Sequence, residues 1–560
     1  MMKLSLDAIP QPKSLTALRG YDWHKFAEDL VAGVTVGLVA LPLSMAFAIS
    51  SGVPPQAGIY CAVIAGFLIS ALGGSTTQIG GPTGAFVVVV AGIVQKHGMD
   101  GLFMCTLMAG VMLVLLGITG LGTAVRFIPR PVVIGFTNGI AILIASTEIK
   151  DFFGLTVAKV PGDFLGRMTT LTEGWRTYSL PAALVGLATL VGMIVFARFV
   201  KRVPATIVGL FVGTGVALLL RLPIETIQTR FGGIPGGLPT MRIPTFRADL
   251  ILPLLSSAVT IAMLGAIESL LSAVVSDRMS GDKHNPNVEL FAQGVANVFS
   301  PLFGGLPATG AIARTATNIR SGGKTPVAGM IHALTLLAIL MVAAPLARHI
   351  PLAVLAAILL IVCYNMGEWK EIPEILKQSK ADVAVWVITF GLTVFADLTT
   401  AVEAGMILAA LLYIRRVTTT TTVLEATPDY IEDGFEHSLQ TNPLPDGVAL
   451  FRIHGPFLFG AGDKLDLIDA QMDSLPRVVI IRLRNMTAID ATGLHALEVL
   501  ADRLQASGRE LLLCGPRAQP AMLMEQSDFS RRIGEENICP SLAAAIERAN
   551  AVLAERAMAG

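Results

Sequence analysis

The sequence is poor in charged residues, which make up only 15% of its 560 positions, against about 25% in an ordinary soluble protein. In contrast, 53% of the chain is hydrophobic and 55 residues are glycine. The formal net charge is zero, so no excess of basic residues points to nucleic acid as a partner. These features exclude a single soluble domain, a disordered chain and a nucleic-acid-binding protein.

The sequence also lacks a cysteine framework and a cleavable signal. The five cysteines form no CxxC pair, and the first three lie in apolar runs, which argues against a zinc site or a set of disulfides. We therefore expect no metal and no cofactor. Residues 1–25 contain no apolar stretch of the signal-peptide type, so we expect the first spanning helix to act as the targeting signal.

Charge is divided unevenly along the chain. Residues 417–560 contain 20 acidic and 12 basic residues, a net charge of −8, and residues 1–416 carry the balancing +8. The front part contains apolar runs that approach the length of a membrane-spanning helix. They predict fourteen segments near 26–48, 53–73, 79–96, 100–124, 131–150, 179–199, 204–221, 251–273, 288–303, 310–320, 325–347, 351–366, 382–396 and 399–416. The ninth and tenth are too short or too polar to span alone.

Basic residues indicate the orientation of these segments. With the N-terminus in the cytoplasm, the even-numbered segments end beside Lys or Arg, as at Arg126 and Arg130 after the fourth and at Arg415 and Arg416 after the last. Because basic residues are enriched in cytoplasmic loops, we expect both termini in the cytoplasm.

The third and tenth segments share a short motif. Pro82-Thr-Gly-Ala-Phe86 and Ala308-Thr-Gly-Ala-Ile312 both contain Thr-Gly-Ala, and a glycine-rich stretch precedes each. Each motif lies in the third segment of a half that has seven segments. Because seven is odd, two such halves have opposite orientations in the membrane. The spacing therefore predicts an inverted repeat over about 26–221 and 251–416.

The glycines and prolines before each motif predict a broken helix. A half-helix that begins near the middle of the membrane presents backbone N–H groups without partners and the positive end of its dipole. Two such ends that face each other would form an anion site. The alternative, in which glycine and proline only kink packed helices, does not account for the duplication.

Two charged residues lie deep inside predicted segments. A bare carboxylate is costly in a bilayer, so we interpret Glu268 in the eighth segment as a proton site. The alternative is a structural carboxyl that is hydrogen-bonded between helices. Arg314, one turn into the tenth segment, would add positive charge to the anion site unless it snorkels to the cytoplasmic face. Glu148 has charged neighbours and is expected at the membrane interface.

The C-terminal part differs in pattern. A Thr-rich and then acidic linker is predicted over 417–445. After it, strand-like runs at 448–453, 477–483 and 510–514 alternate with helical patterns. This alternation predicts a small α/β domain over 446–560. No pair of catalytic acid and base residues is present in it, so we expect a docking or regulatory module and not an enzyme. A phosphate loop at Gly322–Thr325 is excluded, since Asn318 stands where that motif needs glycine.

Several longer stretches resemble the sulfate permease (SulP or SLC26) family of anion transporters. They are Asp29–Gly37, Leu41–Phe47, Gly81–Gly84, Gly304–Thr315 and Ser321–Thr325. The tail resembles the STAS domain that follows these transporters, through residues 489–494. The resemblance implies a polytopic α-helical membrane protein with fourteen segments in a seven-plus-seven inverted repeat, divided into core and gate domains. It also implies a homodimer and an elevator-like movement of the core.

The resemblance further implies a set of site residues. In the family the anion lies between the first, third, eighth and tenth segments. Matching motifs assign anion binding to Phe47, Thr83, Gly84, Ala85, Gly310, Ala311, Ile312, Ala313 and Arg314, and proton coupling to Glu268. Sodium-coupled bicarbonate members have Asp at the position of Glu268 and Thr at that of Ile312. Both differences weaken a sodium-coupled interpretation, because Ile offers no oxygen ligand.

Other stretches resemble the bacterial C4-dicarboxylate branch of the family. They are Ile149–Leu155, Ala262–Leu271 and Leu392–Asp397, and they imply uptake of succinate or fumarate with protons across the inner membrane. In bacterial anti-sigma-factor antagonists, which the STAS motif also resembles, the position of Thr492 is a phosphorylatable Ser. Thr492 is therefore a candidate phosphosite, although we favour a structural turn.

The sequence as a whole predicts a proton-coupled C4-dicarboxylate importer of the inner membrane. Its predicted layout is an N-terminal segment over 1–25, a transport domain over 26–416, the linker and the STAS domain, which is expected to bind a cytoplasmic protein. Sulfate or bicarbonate is the alternative substrate. A receptor that signals through the tail without transport is a second alternative. A nucleobase transporter is a third, which Arg314 and the fused tail argue against.

Overall fold

The computed structural model describes residues 11–120, 129–157, 160–200, 204–241, 247–396, 398–426 and 443–559. Its internal contacts divide the chain into two units, Met1–Ile407 and Leu408–Gly560, which are considered separately. Residues 427–442, the middle of the predicted linker, lie outside the described residues, as does Arg126, which follows the fourth predicted segment.

The first seven predicted segments are all helical. A short helix, α1 (Lys13–Ala17), precedes them. The helices that follow are α2 (Trp23–Ser50), α3 (Pro55–Leu72), α4 (Val87–Thr119), α5 (Arg130–Phe153), α6 (Phe164–Glu173), α7 (Leu180–Phe199), α8 (Ala205–Leu219) and α9 (Ile227–Phe231). A two-residue strand, β1 (Gly80–Gly81), lies between α3 and α4. The third and fourth segments form one element, α4, that is interrupted at Gly98, where φ is 68°.

The last seven predicted segments are helical as well. The helices of this part are α10 (Ile251–Ser280), α11 (Pro286–Leu302), α12 (Ile312–Arg320), α13 (Pro326–Ala347), α14 (Leu352–Met366), α15 (Ile372–Leu376), α16 (Lys380–Phe395) and α17 (Leu398–Thr420). A second two-residue strand, β2 (Thr309–Gly310), lies between α11 and α12. Within the described ranges, eight helical stretches are long and apolar enough to cross a membrane. As expected, α11 and α12 are not among them.

Contacts sort the helices of the first unit into two groups. Helices α2, α3, α4, α10, α11, α12 and α13 pack against one another, and α5, α7, α8, α14 and α16 form the second group. The first group contains the third and tenth segments, and therefore both copies of the repeated motif. These two groups correspond to the core and gate domains that the resemblance implied.

Several helices of the first unit begin at a residue whose side chain caps them. The Asp22 carboxylate accepts a hydrogen bond from the Lys25 N–H at 2.8 Å, and Asn285 caps α11 in the same way. Such caps satisfy N–H groups that have no partner inside the helix. The two half-helices of the repeated motif are not among these, because neither Thr83 nor Ala311 caps its helix with a side chain.

The second unit is an α/β domain. Its strands are β3 (Thr422–Glu425), β4 (Val448–Phe457), β5 (Val478–Arg482), β6 (Met486–Ile489), β7 (Glu510–Cys514) and β8 (Ile538–Cys539). They form a sheet of order β3-β4-β5-β7-β8, with β6 paired to β4, and only β3 is antiparallel to its neighbour. The helices are α18 (Asp466–Asp469), α19 (Ala491–Ala506), α20 (Ala518–Gln526), α21 (Phe529–Ile533) and α22 (Leu542–Ala559). The predicted strands at 448–453, 477–483 and 510–514 correspond to β4, β5 and β7. The linker prediction was wrong at its start, because residues 417–420 continue α17 and Thr422–Glu425 pair with β4 as strand β3.

Candidate anion-binding site

The two copies of the repeated motif meet in space. Strands β1 and β2 pair antiparallel, with Gly80 opposite Gly310 and Gly81 opposite Thr309. The pairing continues where the N–H of Ala311 donates to the carbonyl of Ile79 at 2.8 Å. Because each short strand leads directly into its half-helix, this pairing fixes the two helix starts relative to each other.

Both half-helices begin with amides that are free of their own helix. Thr83 is extended, with φ −127° and ψ 163°, and a single 3₁₀ turn over Gly84–Phe86 leads from it into α4. Ala311 is also extended, with φ −100° and ψ 103°, and α12 follows. The first N–H groups of a helix have no partner within it and lie at its positive end. The arrangement therefore offers two sets of N–H donors to an anion.

A hydrogen bond connects the third segment to Glu268. The Thr83 hydroxyl donates to Oε2 of Glu268 at 2.8 Å, although the two residues are 185 positions apart in the sequence. The Glu268 carboxyl also lines a cavity of about 30 Å³, which has room for about one or two water molecules. The remaining lining is almost entirely apolar and comes from α5, α10 and α17: Val132, Val133, Phe136, Thr137, Leu264, Ile267, Leu271 and Met406. Glu268 thus lies where the two helix groups meet.

Close packing favours glycine at position 84. A Cβ atom there would lie 3.1 Å from Cδ1 of Ile144, 3.3 Å from Sδ of Met366 and 3.4 Å from Cε1 of Phe47. Phe47, predicted from the first segment, therefore contacts the start of the third segment directly. Ile144 and Met366 belong to the second helix group, so Gly84 also lies at the boundary between the groups.

Three buried polar residues that sequence reasoning missed support the other half-helix. The Gln78 amide donates to the Ser269 carbonyl at 3.2 Å, and the Ser269 hydroxyl lies 2.8 Å from that of Thr309. The Ser269 hydroxyl also accepts from the N–H of Gly310 at 3.3 Å. A polar residue beside each Thr-Gly-Ala stretch or beside Glu268 is the signal that could have identified this network.

Arg314 points toward the third segment. Its side chain is only 2% exposed, so it does not snorkel to the membrane surface. Nη2 donates to the carbonyl of Pro82, and Nη1 has no hydrogen-bond partner within the described part of the chain. The guanidinium group therefore bridges the two half-helices, and one of its nitrogens is left with unused donors.

The remaining predicted residues lie on the same two segments. Ala85 and Ala311 are buried, whereas Ile312 and Ala313 at the start of α12 are exposed. All ten predicted site residues are thus found on α2, α10 or the two half-helix starts. Within the described part of the chain, no group of three or more His, Cys, Asp or Glu residues could hold a metal ion.

Glu148 takes part in a small network of hydrogen bonds near the end of α5. It is buried at 5% exposure and accepts a hydrogen bond from the Ser50 hydroxyl at 2.5 Å and another from Thr147 at 3.0 Å. Asp151, one turn further along the helix, pairs with Arg230 at 2.8 Å, and the interfacial placement of Glu148 stays a prediction.

Thr492 occupies an exposed position in the second unit. It is the second residue of α19, which Asp490 caps by accepting from the N–H of Gly493 at 2.8 Å. The same carboxylate accepts from the N–H of Phe459 at 2.9 Å. Thr492 therefore lies in the first turn of a capped helix and not in a separate turn, and its phosphorylation stays a prediction.

Comparison with known protein families matches most of the chain. Residues 26–389 match the sulfate permease family, and residues 441–545 match the STAS domain. The "Putative sulfate transporter YvdB" of Bacillus subtilis is 39% identical, over 93% of this chain and 97% of that protein. The "Bicarbonate transporter BicA" of Synechocystis is 32% identical, over 91% of this chain and 92% of that protein.

Solved structures agree with the fold. Murine Slc26a9, an anion transporter in the inward-facing state, superposes with a TM-score of 0.86 at 18% identity, over 98% of this chain and 96% of that one. The transmembrane domain of a cyanobacterial BicA gives a TM-score of 0.61 at 34% identity, over 70% of this chain and 98% of that one. The names of YvdB and BicA refer to sulfate and bicarbonate, so the narrower C4-dicarboxylate assignment stays a prediction.

Proposed function

Because this chain belongs to the sulfate permease (SulP or SLC26) family, whose members are anion transporters and not enzymes, we propose that it imports a small inorganic oxyanion together with protons. Sulfate is the proposed substrate. The observation that supports this most directly is the pair of uncapped half-helix starts at Gly84 and Ile312, which lie beside the Thr83–Glu268 hydrogen bond. This arrangement places donors for an anion next to an acceptor for a proton.

The anion is held by backbone N–H groups and by positive charge. The first amides of both half-helices are the donors, and the two helix dipoles add partial positive charge. Arg314 adds a full charge through the guanidinium group that bridges the two segments. The exposed side chains of Ile312 and Ala313 at the start of α12 offer no competing oxygen atoms.

Glu268 is the proposed proton carrier. Moving one negative charge inward against a membrane potential of 100 mV costs about 2.3 kcal/mol, and a dianion costs about twice that. Protons that travel with the anion offset this cost. Glu268 is hydrogen-bonded to Thr83 of the anion site, and it lines a cavity at the boundary between the helix groups. Its accessibility therefore changes when the groups move relative to each other.

The choice among anions is supported by two observations. YvdB, which bears the sulfate name, is 39% identical to this chain, against 32% for the bicarbonate transporter of Synechocystis. Ile312 replaces the oxygen-bearing Thr of sodium-coupled bicarbonate members, which disfavours sodium coupling. Bicarbonate is therefore the second candidate. The C4-dicarboxylates rest on the local resemblances at 149–155, 262–271 and 392–397 alone.

We further propose how the parts work together. The first helix group, which contains both half-helices, is the moving core of an elevator-like mechanism, and the second group is the static gate. The transport domain covers 26–416 and the STAS domain 446–560, in a homodimer of the inner membrane with both termini in the cytoplasm. The STAS domain binds a cytoplasmic protein, and exposed Thr492 is a candidate control point for that binding.

Uptake of labelled sulfate into proteoliposomes tests the proposal. We expect uptake to rise when the external medium is made more acidic than the lumen, with the potential clamped at zero by potassium and valinomycin. Excess unlabelled sulfate should compete strongly, bicarbonate weakly and succinate least. Succinate as the strongest competitor would replace sulfate with the dicarboxylate. Absence of transport of all three anions by reconstituted protein would contradict the transport function itself.

A further inference from the structure

A large cavity opens beside the N-terminal residues of the first unit. Its volume is about 630 Å³, which is within the range of ligand pockets and far larger than a sulfate ion needs. Four separate stretches line it: the N-terminal residues from 13 to 25, the loop after α3, the end of α10 and the turn between α12 and α13. The cavity is distinct from the half-helix starts, which do not line it.

The lining of this cavity is strongly basic. Lys13, Arg19, Lys25 and Lys324 all contribute to it, and Asp282 is its single carboxylate. Asp282 accepts from Nζ of Lys13 at 3.0 Å. Burial acts to raise the pKa of Asp282, but hydrogen bonds from Lys13 and from the N–H of Lys283 outweigh burial and hold that pKa below its ordinary value. Asp282 is therefore ionised and neutralises one of the four cations.

The other cations are less fully paired. Among the described residues, Nζ of Lys25 donates only to the carbonyl of Gly20, at 2.8 Å, and Nζ of Lys324 pairs with Glu28 at 2.8 Å. Within the described ranges, no hydrogen bond or ion pair holds the Arg19 guanidinium group. Excess positive charge of this kind attracts a multiply charged anion.

Backbone amides of the nearby turn are already occupied. The N–H groups of Lys324 and Thr325 donate to Oδ1 of Asp29, at 2.9 and 3.2 Å. The Asp29 carboxylate therefore already accepts from the N–H groups that a phosphate loop would offer to its ligand. Side chains must supply the recognition in this cavity, and arginine and lysine are the residues that bind phosphate oxygens best.

The cavity also borders both segments of the anion site. The loop at Thr77 leads into β1, and the cavity reaches the end of α12 at Ile319. The Asn318 amide donates to the Thr77 carbonyl at 2.9 Å, so the two segments are in contact beside the cavity. We propose that this cavity binds a phosphate-bearing anion, which braces the two half-helix segments at their ends remote from the transport site.

Phosphate groups reach this place from two sources. The stretch that contains Arg19 also exposes Leu15, Leu18 and Trp23, as expected of a segment at a membrane interface, where an anionic lipid headgroup would be available. A soluble phosphorylated compound has the same chemistry. Separate lipid and soluble probes distinguish the two sources.

Binding to the full-length protein tests the proposal. Calorimetry in detergent uses pyrophosphate as the soluble probe, and native mass spectrometry counts phosphatidylglycerol retained from phosphatidylcholine nanodiscs that contain it. We expect Arg19→Gln and Lys25→Gln each to weaken binding about tenfold, and increasing salt to weaken it further. Arg320→Gln is the matched control, since it removes the same charge from the end of α12 without lining the cavity.

The outcomes are distinct. Phosphatidylglycerol retention that only the cavity variants lose assigns the site to a lipid headgroup, and pyrophosphate binding lost in the same pattern assigns it to a soluble compound. The proposal is overturned if wild-type protein binds neither probe, or if Arg320→Gln weakens binding as much as Arg19→Gln. Each variant is first checked for an unchanged melting temperature, and Lys25→Gln decides if Arg19→Gln fails that check.

Discussion

Replacing Glu268 with Gln isolates the proton from the architecture of the site. The amide has nearly the shape of the carboxyl and retains an oxygen that can accept from Thr83, now 2.8 Å from Oε2. We therefore expect the free energy of unfolding to change by less than about 1 kcal/mol. What the variant loses is a group that can take up and release a proton within the pH range of the assay.

The expected size of the effect follows from the coupling. With the potential clamped at zero, one proton carried per anion lets a gradient of one pH unit, worth about 1.36 kcal/mol, support about tenfold accumulation. Two protons would support about a hundredfold. In Glu268→Gln we expect no accumulation beyond equilibration, whereas exchange of internal for external sulfate continues, because the half-helix amides proposed to bind the anion are intact.

The assay compares the steady-state ratio of internal to external labelled sulfate in proteoliposomes. Glu403→Gln is the matched control, since it makes the same change at an exposed carboxylate in α17, and it should accumulate sulfate like the wild type. Tenfold accumulation by Glu268→Gln under the same gradient would refute the assignment of the proton to this residue.

Three further predictions test the packing and the charge of the site. Gly310→Ala places a methyl group against the side-chain amide of Gln78, and we expect a loss of about 1–3 kcal/mol in stability, seen as a lower melting temperature and little uptake. Ser50→Ala removes the 2.5 Å hydrogen bond to buried Glu148 and should cost about 1–3 kcal/mol; an unchanged melting temperature would disprove it. Arg314→Gln should raise the KM for sulfate about tenfold, whereas an unchanged KM would remove this residue from anion binding.

Each of these changes has a counterpart elsewhere in the first unit. Gly215→Ala adds the same methyl group where no atom lies within 4 Å and should melt like the wild type. Ser321→Ala removes a hydroxyl at the end of α12, far from Glu148 in the sequence, and should be nearly neutral. Arg320→Gln removes an exposed charge from the same helix as Arg314 and should leave KM unchanged.

The helices and the broken segments could be predicted because their causes are local. Apolar length defines a spanning segment, and glycine with proline defines a helix break, so all fourteen segments and both half-helix starts are recognisable in the sequence. The duplication of Thr-Gly-Ala at Thr83 and Thr309 also predicted that the two breaks belong together, which the pairing of β1 with β2 confirms.

The contacts between distant residues could not be predicted in this way. Thr83 and Glu268 were each predicted for the site, but nothing in their spacing indicates that one donates to the other. The same holds for Gln78 and Ser269, whose network forms only once β1, β2 and α10 are packed together. Glu148 shows the same limit, because its charged neighbours do not indicate that the Ser50 hydroxyl on another helix donates to it.

Binding of the anion between the two half-helix starts is tested most directly by locating the anion itself. Selenate, a heavier analogue of sulfate, can be located by its anomalous scattering in crystals of the full-length protein. We expect a peak near Thr83, within hydrogen-bond distance of the amides that begin the half-helices of the third and tenth segments. A selenate peak confined to the basic cavity at Arg19, with none between the half-helices, would contradict the proposed site.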